Sequence, residues 1–101
     1  MYLYHFLILI ISIIVLYKSI IDDFLRNQLQ PYQFVEKFVF QWRRDKDEQR
    51  DFDIYMRRIV NRIYVSCLEF QENSSLIEYE SGLKVLRSEV EILRYIGWGL
   101  K

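Results

Sequence analysis

The sequence predicts an all-α chain: one N-terminal transmembrane helix over residues 1–21, followed by a cytoplasmic helical hairpin or bundle over residues 22–101. Three observations carry this. Residues 2–17 hold no formally charged side chain, while every Lys, Arg, Asp and Glu except Lys18 lies from Asp22 onward. Downstream of Pro31 the apolar residues recur at helical spacing. With 3 Gly and 1 Pro, the chain has few of the residues that punctuate β-rich folds.

The averages hide this division. The 101 residues are 51% hydrophobic with a formal net charge of zero, a balance that would pass for a small soluble domain. Balanced charge argues against a polybasic nucleic-acid binder, and a single cysteine, Cys67, excludes an internal disulfide framework.

The first element is read from Tyr2 to Ile21. Twenty helical residues reach about 30 Å, the thickness of a hydrocarbon core, whereas the uncharged part, Tyr2 to Tyr17, reaches only about 24 Å. Lys18 is therefore expected to snorkel, with Tyr2 and Tyr4 at one membrane interface and Tyr17 at the other. A cleaved signal peptide fits poorly: no Lys or Arg precedes the apolar run, the run is long, and no Ala is available for a cleavage site. Lys18, Arg26, Lys37, Arg43 and Arg44 follow the run and none precedes it, so Met1 is expected outside and the remainder in the cytoplasm. His5, one turn from the N-terminus, suits an interfacial position better than a proton relay.

Asp22–Gln30 is expected to carry the helix out of the membrane, and Pro31 to break or restart it. Phe34, Val35, Phe38, Val39 and Trp42 then form a helical stripe. The mixed-sign run at residues 43–51 reads as a solvated helix surface or loop, because its charges nearly cancel. From Phe52, the positions 52, 55, 56, 59, 60, 63, 64, 67 and 68 make one apolar helical face. Its composition alone would also suit a strand, but the period decides for helix. Cys67 lies on that face and reads as a packed core residue.

Asn73-Ser74-Ser75 interrupts the pattern, and Ser75 with Glu78 forms a capping box for a helix starting near Leu76. In that helix Leu76, Tyr79, Leu83, Leu86, Val90, Leu93 and Gly97 alternate spacings of three and four, a heptad seam flanked by Arg87, Glu89 and Arg94. Two readings stay open: a coiled coil with another chain, or antiparallel packing on the preceding helix. Ile77, Val85, Ile92 and Ile96 widen the apolar surface and favour several neighbours.

No phosphate-binding loop, paired-cysteine motif, zinc-protease motif or nucleophile elbow occurs. One His and one Cys cannot form a structural zinc site within the chain, and the carboxylates at Asp45, Asp47, Asp51 and Asp53 lack the glycine and glutamate of a calcium loop. The expectation is a non-enzyme with no cofactor, metal, nucleic acid or small-molecule substrate. Its expected partners are membrane lipids, other copies of itself and a membrane-anchored subunit.

Residues 88–100, SEVEILRYIGWGL, place Arg94, Tyr95 and Trp98 as if approaching a membrane interface, so residues 95–101 read as the possible start of a second span. This segment resembles the approach to the second membrane span in the MotA/TolQ/ExbB proton-channel family. The resemblance covers about a dozen residues. It implies the N-terminal part of a channel subunit that couples ion flow to mechanical work, cut before the second span and not conducting alone. The proline the family shows next is missing at Lys101, and no pore residue can be carried over. The alternative from the residues themselves is a single-pass adaptor or scaffold whose cytoplasmic helices bind a partner protein.

Overall fold

A computed structural model describes the backbone of residues 2–48, 54–72 and 76–99, and the side chains of residues 13–48, 54–72 and 79–99. Among these, the secondary structure is all helical: α1 (Tyr2–Leu25), α2 (Pro31–Asp47), α3 (Ile54–Glu72) and α4 (Leu76–Trp98). The side chains of Tyr2, Tyr4, His5, Leu76 and Ile77, together with Phe52 and the Ser75–Glu78 capping box, lie outside the described residues.

Each helix packs mainly against two others, in the cyclic order α1–α2–α3–α4. Phe24 stacks on Phe34 at 4.3 Å, while Tyr17, two turns earlier in α1, meets Phe38, one turn later in α2. These two helices therefore run antiparallel. Arg94 reaches Asp22 and Arg87 reaches Leu25, so α4 is antiparallel to α1 as well. Ser66 bonds Glu89 and Tyr55 bonds the Ile96 carbonyl, which makes α3 antiparallel to α4. The result is an up-down-up-down four-helix bundle, with α2 diagonally opposite α4. It is elongated, 54 × 30 × 23 Å.

The turn after α1 follows its residues. Asn27 adopts the left-handed conformation (φ 62°), and the Asn27 and Gln28 amides return to the carbonyls of Phe24 and Asp23. Asn tolerates that conformation better than branched residues do. The Arg87 guanidinium covers the same helix end, donating to the carbonyls of Phe24 and Leu25 and to Asn27 Oδ1. A cation there meets carbonyls that have no partner within the helix. Pro31 then opens α2, where its missing N–H costs nothing, and Gln33 Oε1 accepts from the Gln30 amide at 2.9 Å.

The core is drawn from all four helices: Ile13, Tyr17, Ile21 and Phe24 of α1; Phe34, Val35, Phe38 and Val39 of α2; Met56, Ile59, Val60, Ile63 and Cys67 of α3; Leu86 and Val90 of α4. The α2 stripe and the α3 face thus point inward as their spacing predicts. Tyr55, expected on the α3 apolar face, is half exposed. The mixed-sign run is only partly a solvated surface. Residues 43–47 continue α2, and Asp45 is buried within it.

Residues 13–21 do not stand apart from the bundle. Ile13, Tyr17 and Ile21 are among its most buried side chains, and α1 runs without a break to Leu25. Among the described residues no helix is long and apolar enough to cross a membrane. The side chains of Tyr2–Ser12, most of the apolar run, lie outside them.

Candidate functional site

Two regions of the bundle expose apolar or aromatic side chains. The first is the end at which residues 2–12 of α1 continue beyond Ile13, the first described core residue of that helix. The antiparallel order brings the C-terminal ends of α2 and α4 and the start of α3 to the same end.

The residues expected at a membrane interface are placed unequally. Tyr17 turns into the core, where its hydroxyl donates to Asp45 Oδ2 at 2.6 Å and its ring packs on Phe38. The same carboxylate accepts from Gln41 Nε2 through Oδ1 at 2.9 Å. Tyr17 is therefore a core side chain in this fold, because a phenol can be buried when its O–H finds an acceptor. Lys18 bonds Asp22, one turn on, at 3.2 Å. Trp98 packs against the core with its indole nitrogen enclosed and unpartnered, while Tyr95 is exposed.

Asp22 binds α1 to α4. Its Oδ1 accepts from Arg94 Nε at 2.9 Å and its Oδ2 from Lys18. Burial raises the cost of its charge, but the two cations outweigh that and hold its carboxyl below the usual carboxylate range. Arg94 also donates to the Gly99 carbonyl, closing the end of α4.

Around this end the exposed apolar side chains gather. Val15 and Leu16 of α1, Ile54 and Tyr55 of α3, and Ile92, Tyr95 and Ile96 of α4 are all solvent-facing. Tyr55 Oη donates to the Ile96 carbonyl at 2.6 Å, tying the start of α3 to the end of α4. Gly97 lets these two helices approach: a Cβ there would lie 3.2 Å from Ile59 Cδ1. On the opposite side, the end of α2 carries Arg43, Arg44, Lys46, Asp47 and Glu48, all exposed.

The second region is an open groove of about 720 Å³ along the outer face of α2, lined by Tyr32, Val39, Phe40, Arg43 and Gln71 among others. Phe40 and Tyr32 are each 65% exposed beside Glu36 and Arg44, so the groove offers aromatic surface framed by both signs of charge.

The expected packing seam is occupied within the chain. Leu86 and Val90 are fully buried, Leu83 and Leu93 pack against the core, and the Tyr79 ring lies 5.5 Å from Phe70 of α3. The residues flanking the seam also bond within the bundle: Arg87 and Arg94 to α1, Glu89 to Ser66. Ile92, Ile96 and Val85, expected to meet further neighbours, are uncovered.

Among the described residues no group of His, Cys, Asp and Glu gathers to hold a metal. Cys67 is wholly buried, and burial pushes its thiol up to about 12. That removes the thiolate needed for reaction. The joints that sequence reasoning missed, Tyr17–Asp45, Trp42–Asn61 and Asp22–Arg94, span 19 or more positions, so no local pattern signals them.

No protein-family model, curated protein or solved structure matches the chain. Nothing in these comparisons links the chain to the proton-channel family.

Proposed function

We propose that this protein is a membrane-tethered helical scaffold. The N-terminal part of α1 holds it in the bilayer, and the bundle presents its α2 groove to a partner protein. One observation supports this above the others: α1 is a single helix whose uncharged N-terminal run continues directly into the bundle core through Ile13, Tyr17, Ile21 and Phe24. An anchor built in this way fixes the orientation of the bundle relative to the membrane instead of trailing it on a linker. The groove supplies exposed Phe40 and Tyr32, the aromatic surface that protein interfaces favour, with Arg43 and Arg44 beside them.

The test has two parts. The full chain expressed in cells is expected to stay with the membrane fraction through alkaline carbonate washing; release into the wash would remove the anchor. A photo-crosslinking phenylalanine analogue in place of Phe40 is expected to give a discrete higher-mass adduct in native membranes that the same analogue at exposed Lys84 does not. Equal adducts at both positions, or none, would remove the docking groove.

The channel-subunit reading is separated by flux. Purified chain in vesicles that raises proton leak above that of empty vesicles would favour it, and partner capture without leak would favour the scaffold.

A further inference from the structure

We propose that the outer face of α4 is the interface with a second copy of this chain, the two α4 helices running parallel about a two-fold axis. The direction of the pairing rests on the anchor reading above. The α2 groove of each copy stays free for its own partner.

Spacing makes the first case. Ser81, Val85, Ser88, Ile92 and Tyr95 alternate steps of four and three, a second heptad seam beside the one that the bundle buries. Leu86 and Val90 of the inner seam are fully covered within the chain, whereas Val85 is 55% and Ile92 59% exposed. In this outer frame Val85 and Ile92 take the a positions, where β-branched side chains favour two parallel strands. Exposed Ser81 and Ser88 are small enough to let the two helices approach, and exposed Ile96 widens the apolar strip at its edge.

Charge makes the second case and identifies the occupant. Lys84 and Glu91, two turns apart, stand on the edge of the seam that faces α1, where Glu91 shares a hollow with Arg26 and Tyr95. The other edge belongs to α3. Glu69 lines a hollow there with Val85 and Glu89, and Arg62 stands two turns before it. The Ser66–Glu89 and Tyr55–Ile96 bonds set the register of α3 against α4. That register brings Arg62 level with Glu91 and Glu69 level with Lys84. A two-fold axis along the bundle lays the α1 edge of one copy on the α3 edge of the other. Glu91 then meets Arg62 of the second copy, and Lys84 meets its Glu69 and Glu89, each contact occurring twice. Arg26 brackets the same Glu91 from within its own copy. Lys84 and Glu91 are both exposed in the single chain, as are Arg62 and Glu69. The face is thus complementary in sign to itself, which an unrelated surface matches only by coincidence.

An antiparallel pairing would also set Lys84 on Glu91. It would, however, send the two α1 N-terminal runs to opposite ends. Anchors in one bilayer, together with the β-branched a positions, select the parallel arrangement.

The test is disulfide crosslinking of the full chain in phosphatidylcholine vesicles under a mild oxidant. Val85→Cys and Ile92→Cys are each expected to link to themselves and give a species of twice the chain mass. Wild type, whose only thiol is buried Cys67, is expected to give none. Glu91→Arg is expected to raise the dimer dissociation constant about tenfold by setting like charges together. Glu91→Arg combined with Arg62→Glu is expected to restore it, with helical circular dichroism checking each variant. The photo-crosslinking analogue at Lys84 is expected to give an adduct of twice the chain mass, distinct from the one at Phe40. Absence of self-linking at 85 and 92, or failure of the double variant to restore pairing, would overturn the interface. Linking only in a mixture of the two cysteine variants would overturn the parallel direction. Chain that resists carbonate washing yet never self-links overturns the pairing and leaves the anchor standing. Chain that self-links at 92 but is released by the wash supports the pairing and removes the anchor.

Discussion

The Tyr17 hydroxyl donates to the Asp45 carboxylate at 2.6 Å inside the bundle, joining the helix expected to lie in lipid to the end of a stretch expected to lie in water. A hydrogen bond to a buried charged acceptor is worth about 1.5–3 kcal/mol. Tyr17→Phe is expected to lose about that much, since the ring keeps its packing on Phe38. Denaturant unfolding of the full chain in mild detergent, followed by helical circular dichroism, measures it. A change below a few tenths of a kcal/mol would mean that the bond contributes nothing to folding.

Asp22 makes stability depend on acid. Its folded carboxyl is held below its ordinary value by Arg94 and Lys18 against the opposing effect of burial. The folded state thus favours the ionised form, and the contribution is fully present above the ordinary carboxylate pKa of about 4. It is lost as pH falls from there through the folded pKa. The wild type is therefore expected to lose stability between pH 5 and strongly acid pH more steeply than Asp22→Asn. At pH 7 the substitution itself is expected to cost about 2 kcal/mol, below the figure for a fully buried pair because part of this one meets solvent. Parallel acid-induced slopes for the two proteins would show that Asp22 is not the linked group.

The elements that were legible in the sequence are those governed by local periodicity. The Phe34–Trp42 stripe, the Met56–Cys67 face and the Leu83–Leu93 spacing each specify a helix with an inner side, and Pro31 marks where one of them begins. The same logic failed where a polar residue is buried by a distant partner. Asp45 sits in a run of alternating charges and reads as solvated, yet Tyr17 and Gln41 together meet its oxygens. Tyr17 follows an apolar run and reads as an interface residue for the same reason. The uncovered Ile92 and Ile96 were visible as excess apolar surface on α4. Their position beside the end of α1 required the antiparallel order of all four helices.

Cys67 is expected to be inert in the folded chain. It has no exposed surface, and its thiol is pushed up to about 12 by burial. A disulfide reagent at pH 8 is expected to leave it unmodified over hours in native protein, then react once within minutes of adding denaturant. Prompt native-state reaction would place the thiol at an accessible site and remove it from the core.

Gly97 tests how closely α3 and α4 must approach. A Cβ at this position would stand 3.2 Å from Ile59 Cδ1 and 3.9 Å from Met56 Cε, both ends of flexible side chains. Alanine gains about 1 kcal/mol of helix propensity over glycine, and the Ile59 methyl has only to yield by a few tenths of an ångström. Gly97→Ala is therefore expected to leave stability within about 1 kcal/mol of wild type, the propensity gain offsetting the contact. Gly97→Leu has no such escape. Its added carbons must push α4 away from Ile59, and overpacking of this kind costs about 1–3 kcal/mol. It also loosens the Tyr55–Ile96 bond one residue away. Paired unfolding curves for the two variants decide the matter: a leucine variant as stable as the alanine one would mean that the helices are not in close contact at Gly97.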